Sequence, residues 1–225
     1  MRRLATLFAG LALCANAFAL SLADLSQQDA SGGLKDALSQ GAKIAVQQLG
    51  RPGGFNDDPQ LHIGLPGKLG KVASTMKLMG MGAQVEQLET TMNRAAEAAV
   101  PQAQALLLDA VKKMTIDDAK GILTSPQDSA TQYLQRSSRE QIRTRFLPIV
   151  KQATDRVGLA QQFNAFAGTA ANYGVLDARN ANLEGYVTEQ ALDGLFKVIA
   201  QQEAGIRQNP AGAATSLAKK VFGAL

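Results

Sequence analysis

Apolar residues recur at three- and four-residue intervals along most of this chain, and residues 183–207 carry the pattern most fully. At about 100° per residue, Val187, Ala191, Leu192, Leu195, Phe196, Val198, Ile199 and Ile206 spread over roughly half of a helix circumference. A surface helix buries one stripe, so an arc this broad predicts a helix packed on two or more sides, with other helices arranged round it. The opposite edge is polar, with Glu189, Asp193, Lys197 and Gln201.

The rest of the chain breaks into further helical periods. Leu34, Leu38, Ala42, Ala45, Val46 and Leu49 predict a first helix over 34–49, preceded by a polar stretch with Ser31, Gly32 and Gly33. Gly50, Pro52, Gly53 and Gly54 end it. Residues 55–66 have no helical period; Leu61, Ile63 and Leu65 alternate with His62 and Gly64, which predicts an extended segment or ordered loop lying on the helices. Leu69, Val72, Ala73, Met76 and Met79 predict a short helix, and Val85, Leu88, Met92, Ala95, Ala96 and Ala99 a longer one running up to Pro101. Pro101 either kinks that helix or opens the next.

Thr115 and Asp118 read as a capping box, and Ser125 before Pro126 as the cap of a helix over 130–146. Pro148 predicts a break or kink, followed by helical periods over 149–157 and 159–173. A linker over 172–182 leads to Asn182, the expected cap of the central helix. That helix ends at Asn209 and Pro210, and a last short one follows over 213–222. The class is all-α: a single-domain multi-helix bundle over 34–225 with one ordered irregular loop near 52–66.

Composition bears on compartment more than on chemistry. Residues 1–19, with Arg2 and Arg3 before an apolar run and small residues at Ala17 and Ala19, read as a cleavable signal peptide cut after Ala19. Residues 20–33 then form a flexible mature N-terminus, and the protein is expected in the periplasm. The rival reading lipidates Cys14, but Leu13 before it is larger than the small residue such a site prefers. No later stretch approaches the ~20 apolar residues of a spanning helix. Without Arg2 and Arg3 the net charge falls from +4 to +2. Scattered cations and few aromatics argue against nucleic acid as a partner. Loss of Cys14 with the leader removes thiol catalysis and cysteine metal sites.

His62 is the sole histidine, and no nucleophile elbow accompanies it, so a hydrolytic triad is disfavoured and so is zinc. Phe55, Asp57, Asp58 and His62 make the loop a candidate site. Its carboxylates lack the alternation and closing Glu of a calcium loop, and neither a metal nor a cofactor is expected. The glycine runs at 50–54 and 80–82 lack the strand and Lys-Ser/Thr of a phosphate loop and read as turns. Met76, Met79 and Met81 read as core filling. Arg94 and Glu97 are three residues apart and Glu203 and Arg207 four apart, so each pair can meet on its own helix face. Glu203 falls within the broad apolar arc and needs a cation there. These four groups are expected to form one interhelical ion network, structural in the first reading and an acid or base lining a pocket in the second.

Four segments carry a family resemblance as a set: GFNDDPQLHIGLPGKLGKV, then MNRAAEAAVPQAQALLLDAVKKMTIDDAKGILTSPQDSATQYL, then RFLPIV, then YVTEQALDGLFKVIAQQEAGIRQNPAGAATSLAKKVFG. Together they resemble the bacterial family known as domain of unknown function 4197, over residues 34–223. The resemblance implies an exported, mostly helical protein of Gram-negative type bacteria and brings no activity, cofactor or catalytic residue with it. The residues favour a non-enzymatic periplasmic binding or interaction protein, taking an apolar small molecule or lipid in a helical groove, or an envelope protein on its surface. Two other classes remain. A carboxylate-based hydrolase or lyase acting on an envelope polymer would place Glu203 or Glu97 on an open cleft. A structural oligomer component would show a long exposed apolar stripe.

Overall fold

In a computed structural model, residues 25–65, 78, 80, 82–125, 128–155 and 182–225 are described, and those that form regular structure are helical. The helices are α1 (Gln27–Leu49), α2 (Gly82–Ala99), α3 (Ala103–Lys113), α4 (Ile116–Leu123), α5 (Ser129–Thr154), α6 (Leu183–Gln208) and α7 (Ser216–Phe222). The leader with Cys14, the short helix expected after Pro66 with Met76, Met79 and Met81, and the helix expected over 159–173 lie outside the described residues.

The central helix is α6. It packs against α1, α2 and α5, and Val187, Ala191, Leu192, Leu195, Phe196, Val198 and Ile199 are all buried, with Ile206 partly so. Its start is capped as the sequence predicts, Gly185 N donating to Asn182 Oδ1 at 2.7 Å. The capping box at α4 also forms, with Asp118 N donating to Thr115 Oγ1 and Thr115 N to Asp118 Oδ2. Those backbone and side-chain bonds from Thr115 hold the Asp118 carboxyl below its ordinary range. Pro101 sits in a 3-10 turn, Val100–Gln102, which joins α2 to α3.

Three boundaries differ from the sequence expectation. Helix α1 begins at Gln27, capped by Ser26, so part of the stretch expected to be flexible is helical. Gly32 and Gly33 are not loose there; α7 lies against them so closely that a Cβ on Gly33 would stand 2.5 Å from Val221 Cγ2. Helix α5 begins at Ser129 rather than after a Ser125 cap, and it runs unbroken through Pro148 to Thr154. The ring removes one amide bond, but Pro148 and Thr144, whose carbonyl loses its partner, are both exposed to water that can replace it. Helix α7 begins at Ser216, after a 3-10 turn, Pro210–Gly212.

Candidate functional site

The loop that leaves α1 is the most heavily tethered irregular stretch among the described residues. Gly50 closes α1, its N–H donating to Val46 O at 2.8 Å. The chain then turns at Gly53, whose φ of +86° is a left-handed conformation that favours glycine. That turn points the amides of Gly53, Phe55 and Asn56 at one spot, and all three donate to Glu97 Oε1 at 3.1 Å. A ring of converging amides is an anion cradle, and here the chain fills it with its own carboxylate. The other oxygen of Glu97 takes Arg94 Nη1 at 2.7 Å.

Asn93, one turn back on α2, holds the far end of the loop. Its Oδ1 accepts from Ile63 N at 2.8 Å and its Nδ2 donates to Ile63 O at 3.0 Å, so the side-chain amide pairs with the backbone as a neighbouring strand would. Asn93 is fully buried. Two contacts come from α6: the Tyr186 hydroxyl donates to Gly64 O at 3.0 Å and Lys197 Nζ to Gln60 O at 3.1 Å. Burial pushes the Tyr186 phenol up, which keeps it protonated and donating.

Phe55 belongs to the hold rather than to the surface. It is fully buried, and its ring lies against Gly194 of α6, where a Cβ would stand 2.7 Å from Phe55 Cε1. Gly194→Ala is therefore expected to cost about 1–3 kcal/mol by overpacking, although Ala is the better helix former, because a fully buried ring would have to shift to admit the methyl. Urea unfolding reads the loss, and a stabilised variant would refute the slot.

Asp57 and Asp58 mainly shape the loop itself. Asp57 Oδ1 accepts from Asn56 Nδ2 at 2.7 Å; Asp58 Oδ1 accepts from Gln60 N at 2.9 Å, and its carbonyl accepts from His62 N at 2.8 Å. The His62 ring is exposed, with Nδ1 3.1 Å from Asn56 O. Leu61 and Ile63 point inward and His62 outward, so the alternation in the sequence is real although no strand forms. An open groove of about 530 Å³ borders this loop, lined by Gln48, Arg51, Pro52, Gly53, Asp57 and Asp58. Among the described residues no group of three metal-ligating side chains comes together.

The second pair serves a different place. Glu203 Oε1 takes Arg207 Nε at 3.1 Å and Nη2 at 3.0 Å, and also Ala130 N at 3.2 Å. Its Oε2 takes Thr131 N at 2.8 Å and Thr131 Oγ1 at 2.7 Å. Ala130 and Thr131 are in the first turn of α5, whose own cap residue Asp128 makes no side-chain cap bond. Glu203 thus caps α5 from another helix. Arg207 Nη2 also donates to Ile122 O, at the end of α4, at 3.2 Å. The single four-membered network expected from the sequence does not form; among the described residues no bond joins Arg94 and Glu97 to Glu203 and Arg207.

Both carboxylates are sealed. Glu97 is 4 % exposed and Glu203 5 %, and every oxygen already accepts from an amide, a hydroxyl or a guanidinium. The space beside Glu203 is a narrow gap of about 10 Å³, walled by Ala37, Leu38, Gly41, Ile199 and Phe222. This geometry offers neither group to a substrate as an acid or base.

Sequence reasoning passed over a third cluster, because its four members lie on two helices whose facing is set only by packing. Arg139 Nη2 of α5 donates to Glu189 Oε2 and to Asp193 Oδ1 of α6, both at 2.7 Å, and Arg143 Nε donates to Glu189 Oε1 at 2.7 Å. Burial alone would raise the Glu189 carboxyl, but the bonds from Arg139 and Arg143 outweigh it and hold the group below its ordinary range. A depressed folded value contributes stability above the unfolded value that is lost as pH falls through the folded one. Glu189→Gln is therefore expected to cost on the order of 1 kcal/mol at neutral pH, about 2–4 °C in Tm, and to shrink the loss of stability on acidification below about pH 4.5. Parallel Tm curves for the two proteins between neutral pH and pH 3 would refute the assignment.

The profile of the protein family of unknown function DUF4197 matches residues 24–223. The chain belongs to that family. No curated protein and no solved structure matches it. The family span begins just before α1 and closes one residue after α7, so all the described helices are part of the family domain. Two of the segments that carried the resemblance prove to be one structural unit: Asn93, Arg94 and Glu97 of MNRAAE hold the loop FNDDPQLHI in place.

Proposed function

We propose that this DUF4197 protein is an exported periplasmic binding protein without catalytic activity, and that it recognises an envelope protein through residues 51–62 of its tethered loop. One observation carries the reading. A buried carboxylate and a buried amide are committed to holding a loop that presents Arg51, Asp57, Pro59, Gln60 and His62 to solvent. A connector needs no such hold; a binding loop gains from it, because the entropy of ordering is lost on folding rather than on association. Export rests on the pattern of residues 1–19. Among the described residues no helix is long and apolar enough to cross a membrane.

The two other ligand classes draw less support. The gap by Glu203 has room for about one water, far below the ~300 Å³ of a small-molecule pocket, and the larger groove beside the loop is lined by Gln48, Arg51, Asp57 and Asp58, so neither suits an apolar molecule or lipid. The large apolar side chains exposed among the described residues are Leu78, Ile116 and Leu225, scattered singly rather than in the stripe an oligomer component would show.

Site-specific photocrosslinking in cells tests the reading. A crosslinker at Asp57 or His62 is expected to trap one discrete envelope protein, while the same group at Lys113, exposed on α3, does not. Capture should fail when Glu97→Ala frees the loop. No product at either loop position, or the same product from Lys113, would overturn the loop as the recognition surface. Fractionation of the tagged full-length chain to the cytoplasm would overturn the compartment.

A further inference from the structure

The groove beside the tethered loop has acceptors to spare. Its charged members are Arg51, Asp57 and Asp58, and each carboxylate is half used. Asp57 Oδ1 takes Asn56 Nδ2 and Asp58 Oδ1 takes Gln60 N, which leaves both Oδ2 atoms without a bond among the described residues. Neither forms an ion pair with Arg51 or another described cation, although Lys and Arg outnumber Asp and Glu 23 to 19 in the chain, so cations are not scarce. Helix α1 adds a second negative feature. It ends at this groove, where Gln48 is part of the wall, and its last turn holds no basic residue. The carbonyls of Gln48 and Leu49 lack the bonds a continuing helix would supply: Pro52 has no N–H to return to Gln48, and Gly53 N goes to Glu97 instead of Leu49. Such carbonyls carry the negative end of the helix dipole. Both oxygens lie against Gly54, where a Cβ would stand 2.7 Å from Gln48 O and collide with Leu49 O.

The donors that would suit an anion are already committed, since the amides of Gly53, Phe55 and Asn56 all serve Glu97 Oε1. A bare hard cation fits poorly, because such an ion takes about six to eight oxygens and no three metal-ligating side chains come together among the described residues. We propose that the envelope protein recognised by this loop seats a lysine or arginine side chain in the groove, against Asp57, Asp58 and the end of α1, with Arg51 opposing it as a like charge. The inference rests on the loop being the recognition surface and names the chemistry that surface selects. The tether serves it directly: Glu97 and Asn93 hold the loop, and with it the two carboxylates, beside α1 before the partner arrives, so less freedom is lost on association. Complementary charge of this kind sets specificity and the rate of encounter.

Titration of the isotope-labelled mature chain with a hexa-arginine peptide, followed through amide chemical shifts at low salt, tests this. Saturable shifts are expected at Gly53, Asp57 and Asp58, and none there from hexaglutamate. Joint Asp57→Asn and Asp58→Asn substitution keeps both Oδ1 acceptors within the loop and removes both charges, so it should weaken the peptide at least about 5-fold. Unchanged shifts at Phe55 and Ile63 show that the loop is still held in that variant. Arg51→Ala should tighten the peptide about 2-fold, and raising the salt to about 0.5 M should weaken it in the natural protein. Equal affinity in the natural protein and the double variant would overturn the proposal. So would shifts as large at Asp117 and Asp128, which border a separate groove between α4 and α5. If the titration fails while a crosslinker at His62 still traps its protein, recognition by the loop stands and the basic side chain falls. A crosslinker that traps nothing removes the loop reading and this inference with it.

Discussion

Glu203→Ala is expected to lower the free energy of unfolding by about 3–5 kcal/mol, the range seen when one partner of a buried ion pair is removed. The change leaves Arg207, whose side chain is 10 % exposed, without its counter-charge. It also leaves the Ala130 and Thr131 amides unbonded in the first turn of α5. The structure offers no replacement, since Asp128 makes no cap bond of its own. Urea unfolding followed by far-UV circular dichroism reads the loss, and hydrogen exchange should show those two amides among the first to open. Pairing Glu203→Ala with Arg207→Met separates the two causes. The double variant removes the stranded charge but not the stranded amides, so it should regain part of the loss and no more. A change under about 1 kcal/mol in the single variant would mean that Glu203 is not the cap of α5.

Glu97→Ala is expected to cost less, about 2–3 kcal/mol, and to act on the loop more than on the bundle. Three amides lose their acceptor, at Gly53, Phe55 and Asn56, but Arg94 is 46 % exposed at its side chain and returns to water. Limited proteolysis within residues 51–62 should become rapid, while far-UV circular dichroism holds its native value. Glu97→Gln keeps one carbonyl oxygen for the cradle and sets an amide against Arg94, so its cost should be nearer 1 kcal/mol. Equal protease resistance in Glu97→Ala and the natural protein would show that Phe55, Asn93, Tyr186 and Lys197 hold the loop without it.

The contrast between these two carboxylates marks how far the chain can be read without its fold. Each pairing with arginine could be read from spacing, because residues three and four apart meet on one helix face whatever lies around them. What each carboxylate does besides that could not. Glu97 reaches back more than forty residues to a loop, and Glu203 more than seventy to the start of α5. Asn93 carries no signal of its own in the sequence, because its pairing with Ile63 depends on where the loop lies.

The sequence by itself determined the helical class, the span and caps of α4 and α6, the stop at Gly50 and the inward turn of Leu61 and Ile63, since all of these follow from interactions between near neighbours along the chain. Tertiary structure alone decided that Gly32 and Gly33 continue a helix, that α5 starts at Ser129 and passes Pro148, and that Phe55 fills the slot at Gly194. It also decided that Arg139 and Arg143 of α5 face Glu189 and Asp193 of α6. In each case the deciding partner lies on another helix or loop, brought there by burial of the apolar faces, and no local pattern records which distant group arrives.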